Sequence, residues 1–287
     1  MDLTPMVDTI SEKARANRPI TNEDWRDSEG LLHCGKCGEK IEHIINPKQV
    51  VYSGTDEYGR VKKKYKELDF SKFDYEHRKL AEETYKSLKG RKVPCSCKCD
   101  EAERQRLTKL QRENKLREMR FFAFGNSMYL SGITLDKDNG NNSRISSLMN
   151  RYVKNFSDTI AKGTCIILSG DHNTGKTFFS IAITNALIDK GYYVSYSSIH
   201  KVNSKTSPYI TVQHVINAET FVDLLIIEDV NEECMDGKNY HTLVNYIGTM
   251  QAHNKPIIIT TRMTGDKLDQ LKEVCKKSFV IEMGKDQ

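Results

Sequence analysis

The octapeptide GDHNTGKT, residues 170–177, constrains this chain more than any other feature. It satisfies G-x-x-x-x-G-K-T in full and stands between an apolar run, CIILS, and a helix-forming run, TFFSIAITNALIDKG. A glycine-permitted turn between a strand and a helix directs backbone N–H groups at phosphate oxygens, and the helix N-terminus adds its positive end. Gly170, Asp171, His172, Asn173, Thr174, Gly175, Lys176 and Thr177 therefore form a candidate phosphate cradle for ATP. Lys176 is expected to reach the β and γ phosphates, and the Thr177 hydroxyl to ligate Mg²⁺. His172 reads as a spacer, because the backbone makes the contacts there.

The pattern around the loop agrees. SSLMNRYVKNFSDTIA carries helical spacing at Leu148, Tyr152, Phe156 and Ile160, and the helix after the loop is stopped by Gly191. YYVSYSSI, VDLLIIED and KPIIITT follow as three further apolar strands, with NYHTLVNYIGTMQAHN as a helix between the last two. Strands alternating with helices predict an α/β fold with a mostly parallel sheet covered on both faces.

The strand VDLLIIED ends on two acids, Glu228 and Asp229, and is expected to lie beside the strand that precedes the loop. Two acids in sequence suit two tasks: the first, Glu228, holds Mg²⁺ through water, and the second, Asp229, polarises the attacking water. Lys176, Glu228 and Asp229 are thus the candidate catalytic residues, and Thr177 and Glu228 the candidate magnesium ligands. Another strand ends in Thr260, Thr261 and Arg262, of which Thr261 or Arg262 is expected to face the γ-phosphate. A strand simply leaving the core explains that cluster equally well.

Five of the eight cysteines fall before residue 100, in HCGKCGEK and PCSCKCDE. The chain has no apolar run near the roughly 18 residues of a membrane span, and its first residues lack the pattern of a secretory signal. A cytoplasmic protein is expected, in which clustered thiols bind metal rather than form disulfides. Cys34 and Cys37, with Gly38 after them, form a knuckle-like pair for zinc, and the second pair comes from Cys95, Cys97 and Cys99. Cys97 and Cys99 are preferred because they abut an acidic helix start, although Cys95 could replace either; His33 is a neighbour rather than a ligand. The segment 59–92 between the clusters is basic, tyrosine-rich and too poor in apolar residues to build a core unaided, so that metal would supply folding energy. From residue 100 to 120 the chain reads as an exposed charged helix. The net charge of +5 permits a polyanionic partner without requiring one, and Lys62, Lys63 and Lys64 read as a solvated face.

Taken together, CGKCG, CKCDEAE, FGNS, NRYVKNF, GDHNTGKT and DLLIIEDV resemble the bacterial and phage helicase-loader ATPases of the DnaC/DnaI type, within the AAA+ class. The resemblance implies an amino-terminal zinc-bearing module, residues 1–99, that grips a DnaB-type hexameric replicative helicase. It further implies a linker helix, 100–120, and an ATP-binding domain, 121–287, that self-assembles with ATP on single-stranded DNA and helps place the helicase there. Transposition helper ATPases are related but usually lack the cysteine module, and a nucleotide-gated adaptor or inhibitor with little turnover is the other alternative. Three departures from the family bear on turnover. Glu228 stands where Asp is usual, Arg262 stands where Asn is usual, and no arginine follows Arg262, although lysine clamps a γ-phosphate poorly. Binding is expected to be retained and hydrolysis slow. Lys201 and Lys205, in SSIHKVNSKTSPY, are the candidate DNA contacts, with a solvated loop as the other reading.

Overall fold

The structure is a computed structural model that describes residues 20–46, 49–55, 61–66, 69–138, 143–160, 162–207 and 209–284. It divides into two compact units, Met1–Gln111 and Arg112–Gln287.

The first unit is built from short pieces. Strands β1 (Trp25–Arg26) and β2 (Leu32–His33) pair antiparallel, as do β3 (Glu42–Ile44) with β6 (Lys92–Pro94) and β4 (Gln49–Thr55) with β5 (Val61–Lys66). Helix α1 (Tyr75–Leu88) is capped by Asp74, whose carboxylate accepts from the His77 N–H at 3.0 Å. Ala81 is its one fully buried apolar side chain among those described. The apolar core is a cluster of Leu32, Cys34, Ile41 and Cys97 with Cys99 against it. So few side chains cannot offset the chain entropy of ordering the unit.

Helix α2 (Lys98–Phe124) begins in the first unit and continues into the second. Its first two turns onward are exposed, as its charge pattern predicts, until Met119, Ala123 and Phe124 are buried. Next come α3 (Ser143–Lys154) and α4 (Phe156–Ile160), where the sequence pattern suggests one helix. Ile145, Met149, Val153 and Phe156 face the core, while Leu148 and Tyr152 are only partly covered. Phe156 packs edge-on against Tyr192 at 4.9 Å.

The second unit holds a five-stranded parallel sheet in the order β11-β7-β10-β9-β8, made of β7 (Cys165–Ser169), β8 (Val194–Ser197), β9 (Leu224–Val230), β10 (Ile257–Thr261) and β11 (Ser278–Glu282). Its strands read as continuous apolar runs because both faces are covered. Successive side chains alternate between those faces. Leu225, Ile227, Ile257 and Ile259 join one core with α6 (Ile199–Ser204), α7 (Val212–Ala218), α8 (Gly237–Ala252) and α9 (Gly265–Val274). Leu224, Ile226 and Ile258 join the other, with α5 (Lys176–Asp189), α3 and the end of α2.

Two features differ from the sequence-based expectation. Ser278–Glu282 forms a fifth strand at the sheet edge, where Phe279 remains exposed, so the buried-run signature of the other strands is missing. Moreover, the strand carrying Glu228 does not lie beside the strand that precedes the loop: β10 is inserted between β7 and β9.

One buried polar network ties the second unit together. Glu219 is 5% exposed and accepts from Ser195 Oγ at 2.6 Å, from Lys205 Nζ at 2.8 Å, and from the Tyr246 hydroxyl. Burial pushes the Glu219 carboxyl up, but the Lys205 ammonium and the two hydroxyls outweigh it and hold the carboxyl below its ordinary value. A carboxyl lowered in the folded state adds stability above the unfolded pKa, near 4.3, and that stability is lost as pH falls through the folded value. Glu219→Ala, which leaves two buried hydroxyls and an ammonium without their acceptor, is expected to cost about 3 kcal/mol. Thermal melts from pH 7 to pH 3 check both points: the Glu219→Gln variant should lose part of the acid-limb slope of the parent.

Candidate nucleotide site and metal centre

Strand β7 runs straight into the loop. At Gly170 an added Cβ would stand 2.3 Å from the Met283 carbonyl oxygen, so no larger residue fits while β11 stays paired. The Met283 N–H donates to the Ser169 carbonyl at 2.7 Å, which holds the end of β11 against the loop. Gly175 has φ 92°, a left-handed conformation suited to glycine, and starts α5. The first N–H groups of α5 lack intrahelical acceptors and face the loop, as an anion site requires.

Three side chains define the site's chemistry. Lys176 Nζ donates to the carbonyls of Gly170 at 2.7 Å and Asp171 at 2.5 Å and to Thr174 Oγ1 at 3.2 Å. Burial, then the neighbouring Arg262 guanidinium, lower its pKa; an incoming phosphate would oppose both effects. Thr177 Oγ1 donates to Glu228 Oε2 at 3.1 Å. Ser180 Oγ, one turn further along α5, lies 2.5 Å from Glu228 Oε1. Burial raises the Glu228 pKa against the opposing effect of these hydroxyls. Although β10 intervenes, the first turn of α5 reaches the tip of β9, so the separation of the two strands does not separate Thr177 from Glu228. A hydroxyl and a carboxylate placed together are the hard oxygen donors that Mg²⁺ takes, and the pair fits that ion.

At Asp229 the backbone turns left-handed, φ 51°, where the β9–β10 register shifts between Ile259 and Thr261. The Asp229 N–H donates to Thr260 Oγ1 at 2.9 Å. Its carboxylate is 61% exposed and 3.5 Å from Arg262 Nη2, while the Arg262 guanidinium also meets the ring of His172. These residues line a cleft of about 540 Å³ over the loop, together with Lys176, Thr177 and Phe178.

Thr261 does not line it. The residue is fully buried, its hydroxyl donates to the Val230 carbonyl at 2.6 Å, and it accepts from the Met263 N–H at 3.0 Å. By ordinary alternation along β10, Thr260 shares the face of Ile258, which α5 covers, while Thr261 shares that of Ile257 and Ile259. Ser180 and Thr260 are the contributors that motif reading passes over; the only signal for Ser180 is its position three residues after Thr177, on the same helical face.

In the first unit, Cys34, Cys37, Cys97 and Cys99 bring their sulfurs within 4.8 Å of one another. A tight turn presents the first pair: the Gly38 N–H donates to the Cys34 carbonyl and the Cys34 N–H to the Glu39 carbonyl, both at 2.8 Å. The second pair flanks the start of α2, where the Cys97 N–H donates to Asp100 Oδ2 at 3.2 Å. Tetrahedral zinc with Zn–S bonds near 2.3 Å separates its sulfurs by about 3.8 Å, so the four thiols fit the ion. Cys95 is turned away, with Sγ 3.3 Å from the Lys40 carbonyl. His33 is also a neighbour, its ring stacked on Trp25 and bridging Gly38 O and Asp27.

The lysines considered for nucleic acid gather no such site. Lys205 holds Glu219, Lys201 has a pKa lowered by burial and by Lys205, and the side chains of Lys62, Lys63 and Lys64 lie outside the described residues. No described helix is long and apolar enough to cross a membrane.

Sheet order, loop and acid tip together define a P-loop architecture of the nucleoside-triphosphate-binding class. No protein-family model matches the chain. Replication protein E1 of human papillomavirus 58 is 28% identical over 119 residues, which span 40% of this chain and 17% of that protein. Similar solved structures include DnaI, 18% identical over 55% of this chain and 91% of that one, with a TM-score of 0.44. The DnaC helicase loader is 17% identical over 54% of this chain and 99% of that one, TM-score 0.40. The replication initiator DnaA bound to AMPPCP and single-stranded DNA is 22% identical over 54% of this chain and 50% of that one, TM-score 0.43. The chain therefore spans about a sixth of E1 and half of that DnaA. At these levels of likeness the nucleotide site rests on its own geometry.

Proposed function

We propose that this chain is an AAA+ ATPase of the helicase-loader type, which binds Mg·ATP, grips a DnaB-type hexameric replicative helicase and helps place it on single-stranded DNA. The observation that carries the ATP part is that Lys176 and Thr177 line the cleft over the loop between β7 and α5 while Thr177 meets Glu228 at the tip of β9. Loop N–H groups and Lys176 bind the phosphates, Thr177 and Glu228 hold the magnesium and its water, and Thr260 and Arg262 face the γ-phosphate from β10. Bound magnesium supplies charge neutralisation on the phosphates. Asp229 is the base that accepts the proton of the attacking water.

The loader part is supported by the cysteine module, which the transposition helpers usually lack. In this reading residues 1–99 form the zinc-held helicase-binding domain, 100–120 the linker helix and 121–287 the ATP-binding domain, working in the cytoplasm and self-assembling with ATP. A gated adaptor with little turnover is favoured over it by one observation: Asp229 leans toward Arg262 and is largely exposed rather than directed at Thr177. The test incubates the full chain, ATP and the DnaB-type helicase of its own replication system with circular single-stranded DNA, then measures helicase retained on the circles. ATP-dependent retention with slow turnover supports loading. Helicase binding without any gain in retention would replace loading by the adaptor reading.

A further inference from the structure

Helix α5 carries two fully buried hydroxyls, Ser180 and Thr184, among Phe179, Ile181, Ile183 and Leu187. A buried hydroxyl is costly unless it has a partner. Thr184 finds its partner inside the helix, donating to the Ser180 carbonyl at 2.8 Å. Ser180 has two acceptors in range, the Thr177 carbonyl at 3.0 Å and Glu228 Oε1 at 2.5 Å. A hydroxyl has one proton to donate, and the nearer, charged acceptor takes it.

The Glu228 carboxylate is thereby held at both oxygens from one face of α5, Oε2 by Thr177 and Oε1 by Ser180. Thr177 and Ser180 are three residues apart and so share that face. Helix α5 packs over the sheet face that carries Leu224 and Ile226 of β9, and Glu228, two residues further on, extends from that face to both hydroxyls. An aspartate at 228 would withdraw the carboxyl by about 1.5 Å, one C–C bond, and could not meet both hydroxyls. When Thr177 turns its hydroxyl to a metal ion, Ser180 remains on Glu228 at the shortest distance, beside the Thr260 and Tyr196 hydroxyls that also reach the carboxylate.

We propose that Ser180 is a positioning residue, whose hydroxyl fixes the Glu228 carboxylate beside Thr177 and so sets how strongly Mg²⁺ tightens ATP binding. This rests on the nucleotide reading of the loop, and extends it to a residue outside the motif. The pairing also accounts for the unusual glutamate: Glu228 and Ser180 are matched in length.

The experiment measures the affinity of the full chain for a fluorescent ATP analogue, with Mg²⁺ omitted and with Mg²⁺ saturating. Ser180→Ala is expected to reduce the Mg²⁺-promoted tightening about tenfold, the size of one charge-assisted hydrogen bond. Affinity without Mg²⁺ should stay unchanged, while the melting temperature falls by the few degrees that one lost buried hydrogen bond costs. Ser180→Cys, nearly the same size but a weak donor, should show the same loss, which guards against a packing effect of the alanine. In a Glu228→Ala background, adding Ser180→Ala should change the tightening less than twofold. Full tightening in Ser180→Ala, or an equal loss in the Glu228→Ala background, would overturn the inference and leave the nucleotide reading standing. A parent chain that does not bind the analogue at all would remove both.

Discussion

Removing metal from the four-thiol cluster is expected to unfold the first unit and leave the second folded. Cys34, Cys37, Cys97 and Cys99 join segments more than fifty residues apart in the chain, and the apolar core beside them is a handful of side chains. Structural zinc contributes about 10–16 kcal/mol of apparent binding free energy at neutral pH, far more than such a core can. Elemental analysis of the purified chain should find one zinc per molecule. After treatment with a chelator, amide exchange should become fast through residues 20–46 and 92–99 while the strands of the parallel sheet keep their protection. Cys34→Ser should reproduce that loss, whereas Cys95→Ser should keep its zinc, because Cys95 is directed at the Lys40 carbonyl instead. Zinc lost from Cys95→Ser and retained by Cys99→Ser would assign the fourth ligand wrongly.

The second large effect concerns Lys176. Its ammonium rests on loop carbonyls at the rim of the cleft, so Lys176→Ala should leave the melting temperature nearly unchanged. The same change should weaken ATP by on the order of a hundredfold or more. Two charge-assisted contacts to the β and γ phosphates are each worth about 1.5–3 kcal/mol, and every 1.4 kcal/mol is about tenfold in affinity. Equilibrium titration with a fluorescent ATP analogue reads the loss directly. Wild-type affinity in Lys176→Ala would mean that Lys176 does not contact the bound phosphates.

Much of this site is written in local patterns. Residues 170–177, the helix after them and the apolar strands ending at Glu228 and Thr261 are each visible within a short window, because loop, strand and helix signals are local. That Cys97 and Cys99 rather than Cys95 join the thiol cluster is legible for a similar reason: they sit where a helix begins, and Cys95 precedes the turn. Strand order is different, since nothing in the run KPIIITT says that it will enter between β7 and β9. The exchange of Thr261 for Thr260 has the same origin: which of two neighbouring threonines meets the loop depends on which face of the sheet α5 covers, and α5 covers that of Ile258 and Thr260. Ser180 reads as filler in an apolar helix until the tip of β9 is brought to it. The fifth strand is short, lies at the edge and keeps Phe279 exposed, so its pattern is diluted.

The central claim joins a nucleotide site to a zinc-held grip on a helicase, and a single pull-down tests both. The DnaB-type helicase is offered to the immobilised full chain, to Lys176→Ala and to Cys34→Ser, each with and without ATP and Mg²⁺. The account predicts capture by the full chain that is strengthened by ATP, capture by Lys176→Ala that ignores ATP, and no capture by Cys34→Ser. Capture by Cys34→Ser equal to that of the full chain, or none by the full chain in any condition, would contradict it.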